Sequence, residues 1–260
     1  MIELPTERKK VTNFNPSLLV LFGRPKAGKS SIMAHLDSNL IIDLEDGYKA
    51  LSVMCVQARS ANDIFEVCKA IMVKKQELGQ NPYKYITIDN ATRLEEMAIK
   101  YANSLYRQTA MGQNWGYIVN PKTGKKEEDP KADVRTLPNG SGYTYIRNAV
   151  RKLIDIFKPL CETLILVAHV KDKQIRKDGQ EMSEMSLDLA GKLSDIICGE
   201  ADAIGLIYRE GKSTYISFEG GDNTIKEARC PHLRGKKIEV IKSDDDNNLT
   251  IDLSKVFLDD

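Results

Sequence analysis

The sequence has almost no surplus of charge: 38 Lys and Arg stand against 37 Asp and Glu, a formal net of +1. That excludes a highly basic nucleic-acid-packaging protein. Cysteine is sparse as well. Cys55, Cys68, Cys161, Cys198 and Cys230 are scattered, with no C-x-x-C pair, which argues against a disulfide framework or a zinc site and for reduced thiols in a cytoplasm. No apolar run reaches the roughly 20 residues needed to cross a bilayer, and Met1–Pro5 carries an acid where a signal peptide needs base. The expectation is a soluble, cytoplasmic protein with no membrane association. Repeats and low-complexity tracts are missing too, which excludes fibrous classes. The hydrophobic share of 42% is that of an ordinary globular chain and excludes disorder.

Short apolar runs alternate with longer stretches of helical periodicity, the pattern of a parallel α/β sheet. The runs are Leu18–Phe22, Leu40–Leu44, Tyr85–Ile88 and Leu164–Ala168. The spacing between them predicts helices at about 29–36, 61–79, 91–107 and 143–160. Ala203–Tyr208 and Thr214–Phe218 flank Arg209-Glu210-Gly211-Lys212 and read as a β-hairpin. The expected fold class is therefore α/β, a mostly parallel central sheet flanked by helices with a C-terminal β-hairpin extension, in a single domain over 1–260. Residues 108–142 are polar and rich in Gly, Pro and Asn, long for a structureless insert. Residues 171–186 form a second irregular segment, rich in Lys, Arg, Gln and Met.

Directly after the first run comes Gly23-Arg24-Pro25-Lys26-Ala27-Gly28-Lys29-Ser30, followed by Ser31. It fits G-x-x-x-x-G-K-[ST] in full and lies between an apolar strand and a helix start, the context that motif needs. Its glycines let the backbone wrap a polyphosphate with N–H groups turned inward. Lys29 would reach the β- and γ-phosphates, and the Ser30 hydroxyl would ligate Mg²⁺. ATP and Mg²⁺ are the expected ligands.

Three more strand ends carry polar groups. Asp89 closes Tyr85–Ile88 and is suited to holding the water shell of Mg²⁺; the plainer reading is that Asp89-Asn90 caps the next helix. Asn90 stands where many ATPases carry a glutamate, so a hydrolase needs its base elsewhere. Glu45, in Asp43-Leu44-Glu45-Asp46, is the candidate for orienting attacking water, with a solvated acidic turn as the alternative. His169 follows Leu164–Ala168 and could contact a γ-phosphate; a strand-end histidine also serves as a backbone cap. In an open α/β sheet, ligands bind beyond the carboxyl ends of the strands, so these ends converge. His35 and His232 have no partners at metal-ligand spacing.

In this order, the loop at Gly23–Ser30, the ends at Glu45 and Asp89, and Val-Ala-His at His169 resemble the RecA-like core of recombination ATPases. In particular, they look like the compact bacteriophage ATPases associated with recombination and single-strand annealing. The resemblance covers roughly residues 15–210. It implies a RecA-like P-loop (Walker A) fold and ATP hydrolysis, with Lys29, Glu45 and His169 as catalytic lysine, catalytic glutamate and γ-phosphate sensor. Asp89 becomes the magnesium-side aspartate. It also implies a mobile DNA-contacting loop after the sensor strand, where Lys171, Lys173, Arg176 and Lys177 stand. Phosphate contacts from such residues need no base readout; Lys171 and Lys173 could instead act across a subunit interface, and the plain alternative for the segment is an ordinary solvated β-hairpin. The implied partners are single-stranded DNA, further copies in a ring or filament, and a single-strand-binding protein or replisome component. For a phage protein the compartment is the bacterial host's cytoplasm. A nucleotide kinase is the second class, disfavoured because Arg135 is the sole arginine in 108–142. A nucleotide switch such as a helicase loader is the third.

Tyr106, Trp115 and Tyr117 are candidates for stacking on bases. Arg229, Arg234, Lys236 and Lys237 form a second basic cluster, while residues 244–260 carry six Asp and one Lys. The acidic tail reads either as a docking or groove-covering peptide or as an edge strand at Leu249–Leu253.

Overall fold

A computed structural model of the chain describes residues 15–177, 180–221, 224–244 and 248–258, with backbone alone at 175–177 and 180–182. Six parallel strands form the centre of one sheet: β1 (Leu18–Gly23), β2 (Asn39–Asp43), β3 (Cys55–Gln57), β4 (Tyr85–Asp89), the first part of β7 (Thr163–Lys177) and β9 (Ala203–Glu210). Between β4 and β7 a separate small hairpin pairs β5 (Tyr117–Val119) with β6 (Lys126–Glu128). The far half of β7 pairs with β8 (Gln180–Leu187), and β10 (Ser213–Ser217), β11 (Glu227–Ala228), β12 (Lys237–Ser243) and β13 (Leu249–Ile251) complete the strands. Along the main sheet the order is β13-β12-β10-β9-β1-β7-β4-β2-β3.

Every residue of β1 is buried, because both faces of the sheet are covered. Alternation of side chains splits the core in two. Leu18, Val20 and Phe22 pack into a cluster with Ile64 of α2 (Ala61–Leu78), Ala98 of α3 (Ala91–Arg107), Leu153 of α4 (Gly142–Asp155) and Leu193 of α5 (Leu193–Glu200). Leu19 and Leu21 pack on the opposite side with Ile32 of α1 (Lys29–Ala34) and with Phe218, Ile238, Val256 and Phe257. The expected alternation of strands and helices is therefore present, and no helix among the described residues is long and apolar enough to cross a membrane.

Three expectations change, and one open alternative takes form. The helix expected over 143–160 stops at Asp155, and Lys158–Leu160 forms a separate 3-10 turn. Pro159 lacks an amide hydrogen and disfavours helical backbone before it. The insert at 108–142 is ordered: besides β5–β6 it holds 3-10 turns at Val134–Thr136 and Pro138–Gly140. Asn103 of α3 anchors it, donating to Ala132 O at 2.7 Å and accepting from Val134 N at 3.0 Å. The hairpin β9–β10 is not an extension, since β9 lies beside β1 in the parallel core, and β12 and β13 continue the sheet beyond it. The acidic C-terminal segment takes the edge-strand form. β13 pairs with β12, and beyond it Val256 and Phe257 are buried, the Phe257 ring 4.9 Å from that of Tyr85.

Candidate functional site

Strand register brings the polar ends together. Gly23, the last residue of β1, lies opposite His169 on one side and Ile207 on the other. Asp43 lies opposite Asp89. The Cβ of any residue other than glycine at 23 would sit 2.4 Å from Ile207 O, so the close approach of β9 demands glycine. The loop then turns through Lys26 (φ 64°) and Gly28 (φ 100°) into α1, whose first turn has no side-chain cap. Orphan N–H groups at a helix start and successive left-handed turns form an anion-binding concavity.

Lys29 is buried at the base of this loop and donates to Gly23 O and Arg24 O, each at 2.9 Å. An ammonium has three protons, so one remains for a further acceptor. Burial lowers the Lys29 pKa from its usual value, while Asp89 and Glu45 oppose that shift.

Asp89 is buried at the end of β4. Tyr48 Oη donates to Asp89 Oδ2 at 2.6 Å. Burial raises the Asp89 pKa above the usual carboxylate value, against the Tyr48 hydrogen bond and the charge of Lys29. The Tyr48 hydroxyl is also pushed up, first by burial and then by Asp89, with the Ser30 hydroxyl beside it opposing the rise. Glu45 and Tyr48 share one turn after β2. Asp43 Oδ1 closes it, accepting from Glu45 N at 3.0 Å and Gly47 N at 3.2 Å.

His169 completes the cluster. Its Nε2 lies 3.0 Å from Asn90 Nδ2 and 3.6 Å from Glu45 Oε2. Asn90 Oδ1 is already accepting the Arg93 N–H at 3.0 Å, as the N-cap of α3, so the amide must turn its NH₂ toward the ring. His169 Nε2 thereby faces an amide donor, while its Nδ1 is buried with no hydrogen-bond partner among the described residues. Of this pair, Asn90 caps the helix, while Asp89 lines one cavity with residues of the phosphate loop.

A cavity of about 310 Å³ joins these groups, lined by Lys26, Gly28, Lys29, Ser30, Ser31, Asp43, Glu45, Asp89, His169 and Arg209. Arg24 and Ala27 belong to the same loop on its outer flank. No motif marks Tyr48 or Arg209. Arg209, which the sequence places in the turn of a hairpin, lies within β9, and only the pairing of β9 with β1 carries it to the loop.

The residues that follow His169 form a hairpin, Val170 opposite Leu187 through to Lys177 opposite Gln180. Lys171 is held within the chain by Leu189 O and Asp188, and Lys173 by Asp195 at 3.1 Å. The side chains of Arg176 and Lys177 lie outside the described residues. Other basic and aromatic candidates are also engaged internally. Arg229 donates to Gly199 O, Arg234 to Ala228 O, and Lys237 pairs with Glu210. Tyr106 packs edge-on against Trp115 and Tyr145, and Tyr117 lies under Arg107 and Lys126. His35 and His232 bind backbone carbonyls, of Ser31 and Val256.

The donors present fit magnesium. Ser30 and Asp89 offer hard oxygen atoms on either side of the Tyr48 hydroxyl, and Mg²⁺ is typically held by one or two such groups together with phosphates and waters. Among the described residues no group of three or more His, Cys, Asp or Glu could form a metal cage by itself. A search of curated proteins returns no match. Comparison with protein families matches residues 15–236 to an AAA domain. With the phosphate loop inside that span, the chain belongs to the AAA domain family and is of the P-loop ATPase type.

Proposed function

We propose that the chain is a Mg²⁺-dependent ATPase of RecA-like type, acting on single-stranded DNA as a homo-oligomer. One observation carries it. Strand β7 sets His169 at the phosphate cavity and runs on without a break into the hairpin with β8, its own far half carrying Lys171, Lys173, Arg176 and Lys177. A change at the phosphate is therefore transmitted along a single strand to the segment expected to meet DNA.

In this reading the loop N–H groups and Lys29 hold the β- and γ-phosphates of ATP. Ser30 and Asp89 hold Mg²⁺, which when bound neutralises phosphate charge. Glu45 orients the attacking water and takes its proton. His169 answers to the γ-phosphate by a change of partner: Nε2, now accepting from Asn90, would take up a proton from solvent, donate it in a hydrogen bond to a phosphoryl oxygen and release that amide.

The test is ATP turnover by size-separated oligomers with and without single-stranded DNA. Stimulation of several-fold is expected, weakening as salt rises. No stimulation together with blank gel shifts at low salt would remove the DNA role and leave the ATPase.

A further inference from the structure

We propose that Tyr48 is a positioning residue for the metal side of the site: its hydroxyl fixes the Asp89 carboxylate and locks it to the turn that carries Glu45. This rests on the nucleotide-site reading above and deepens it, by assigning a role to a residue that no motif marks.

The ring of Tyr48 is buried in the second core cluster, with Ile41 and Tyr85 among its members. A buried tyrosine hydroxyl needs a partner, and a backbone carbonyl would serve for stability alone. Here the partner is the one carboxylate of β4, at 2.6 Å, a charge-assisted bond. It engages Oδ2 and leaves Oδ1 for a water of the metal's shell. The same turn is tied to β4 a second time, through Leu44 N to Asp89 O at 2.8 Å. Asp43 Oδ1 holds the intervening backbone of Glu45 and Gly47. Asp89 and Glu45 thus cannot shift independently: one turn pins the first and presents the second.

Tyr48→Phe keeps the ring and deletes the hydroxyl. Binding of a fluorescent ATP analogue to the full chain is measured in EDTA and across a Mg²⁺ titration, with thermal melting as a check on folding. Affinity in EDTA is expected to stay within about twofold, while the Mg²⁺ concentration at half-effect rises about tenfold, the loss of one hydrogen bond to a charged group. In an Asp89→Asn background the same substitution should add no further shift, because the hydroxyl acts through that carboxylate. A folded Tyr48→Phe chain with an unchanged Mg²⁺ midpoint would overturn the proposal. So would an equal loss of affinity with and without Mg²⁺, which marks a purely structural role. Wild-type protein that binds the analogue with no response to Mg²⁺ would overturn the nucleotide-site reading itself, and this proposal with it.

Discussion

Asn90 grips His169 with one end of its amide while the other end caps a helix: Nδ2 stands 3.0 Å from His169 Nε2 and Oδ1 accepts from Arg93 N at 3.0 Å. The two tasks can be separated by substitution. Asn90→Asp keeps an oxygen for the cap but replaces the donor facing the ring. It should leave stability nearly unchanged and lower turnover by about tenfold, because Nε2 then holds a proton that is spent on the introduced carboxylate. Asn90→Ala should lose the cap as well, at a cost of about 1 kcal/mol. Urea unfolding and steady-state kinetics on the two variants decide this; equal stability losses in both would refute the division of labour.

Burial makes ionisation of Asp89 costly. Its pKa is raised by burial above the ordinary value of 3.8. Between that value and the folded-state pKa the native chain binds more protons than the unfolded one, so this group's contribution to stability falls as pH rises through the window. Asp89→Asn removes the buried charge and retains an acceptor for Tyr48. Its thermal midpoint should lie above wild type at pH 7 and close to it below pH 4, while the Mg²⁺ concentration that supports nucleotide binding rises. A lower midpoint at pH 7 would contradict this account.

Glu45→Gln should reduce turnover by about 100-fold or more, with nucleotide affinity changed only a few-fold, if the carboxylate takes the proton of the attacking water. Its backbone turn is held by Asp43 rather than by its own side chain, so folding should be unaffected. Pre-steady-state and binding measurements on the same preparation check it, and unchanged turnover would move the base elsewhere.

Phe257 carries the last prediction. It is buried against Tyr85, and Val256 beside it is fully buried. Phe257→Ala should destabilise the chain by about 3 kcal/mol, read as a shift in the denaturation midpoint. Removing 244–260, which on charge alone would be expected to free a basic groove for DNA, should instead expose the core beneath α1 and yield aggregating protein.

The strand ends were legible because each is an apolar run that stops at a polar residue, and strand register does the rest. The sensor role of His169 came from the family resemblance, and Gly23 was legible from the G-x-x-x-x-G-K-[ST] pattern. Tyr48 was not, since its partner lies 41 positions away and a buried tyrosine looks the same in any core. Lys171 and Lys173 read as free basic groups because Asp188 and Asp195, which take them, come from beyond the hairpin. The hairpin stood only as the plain alternative to a mobile loop, because polar residues on both faces blur the alternation that reveals a strand. Val256-Phe257 was a short apolar island among aspartates, too brief for a periodicity to register.

Asn15 and Leu258 bind each other twice, Asn15 Nδ2 to Leu258 O at 2.8 Å and Leu258 N to Asn15 Oδ1 at 2.9 Å. Tyr85, against which Phe257 lies, begins β4, and Asp89 ends it. A force drawing residues 15 and 258 apart loads this small clasp first. Beyond it the pull divides: from Asn15 it enters β1, which starts three positions on and ends at Gly23, and from Leu258 it meets the Phe257 contact and then β13.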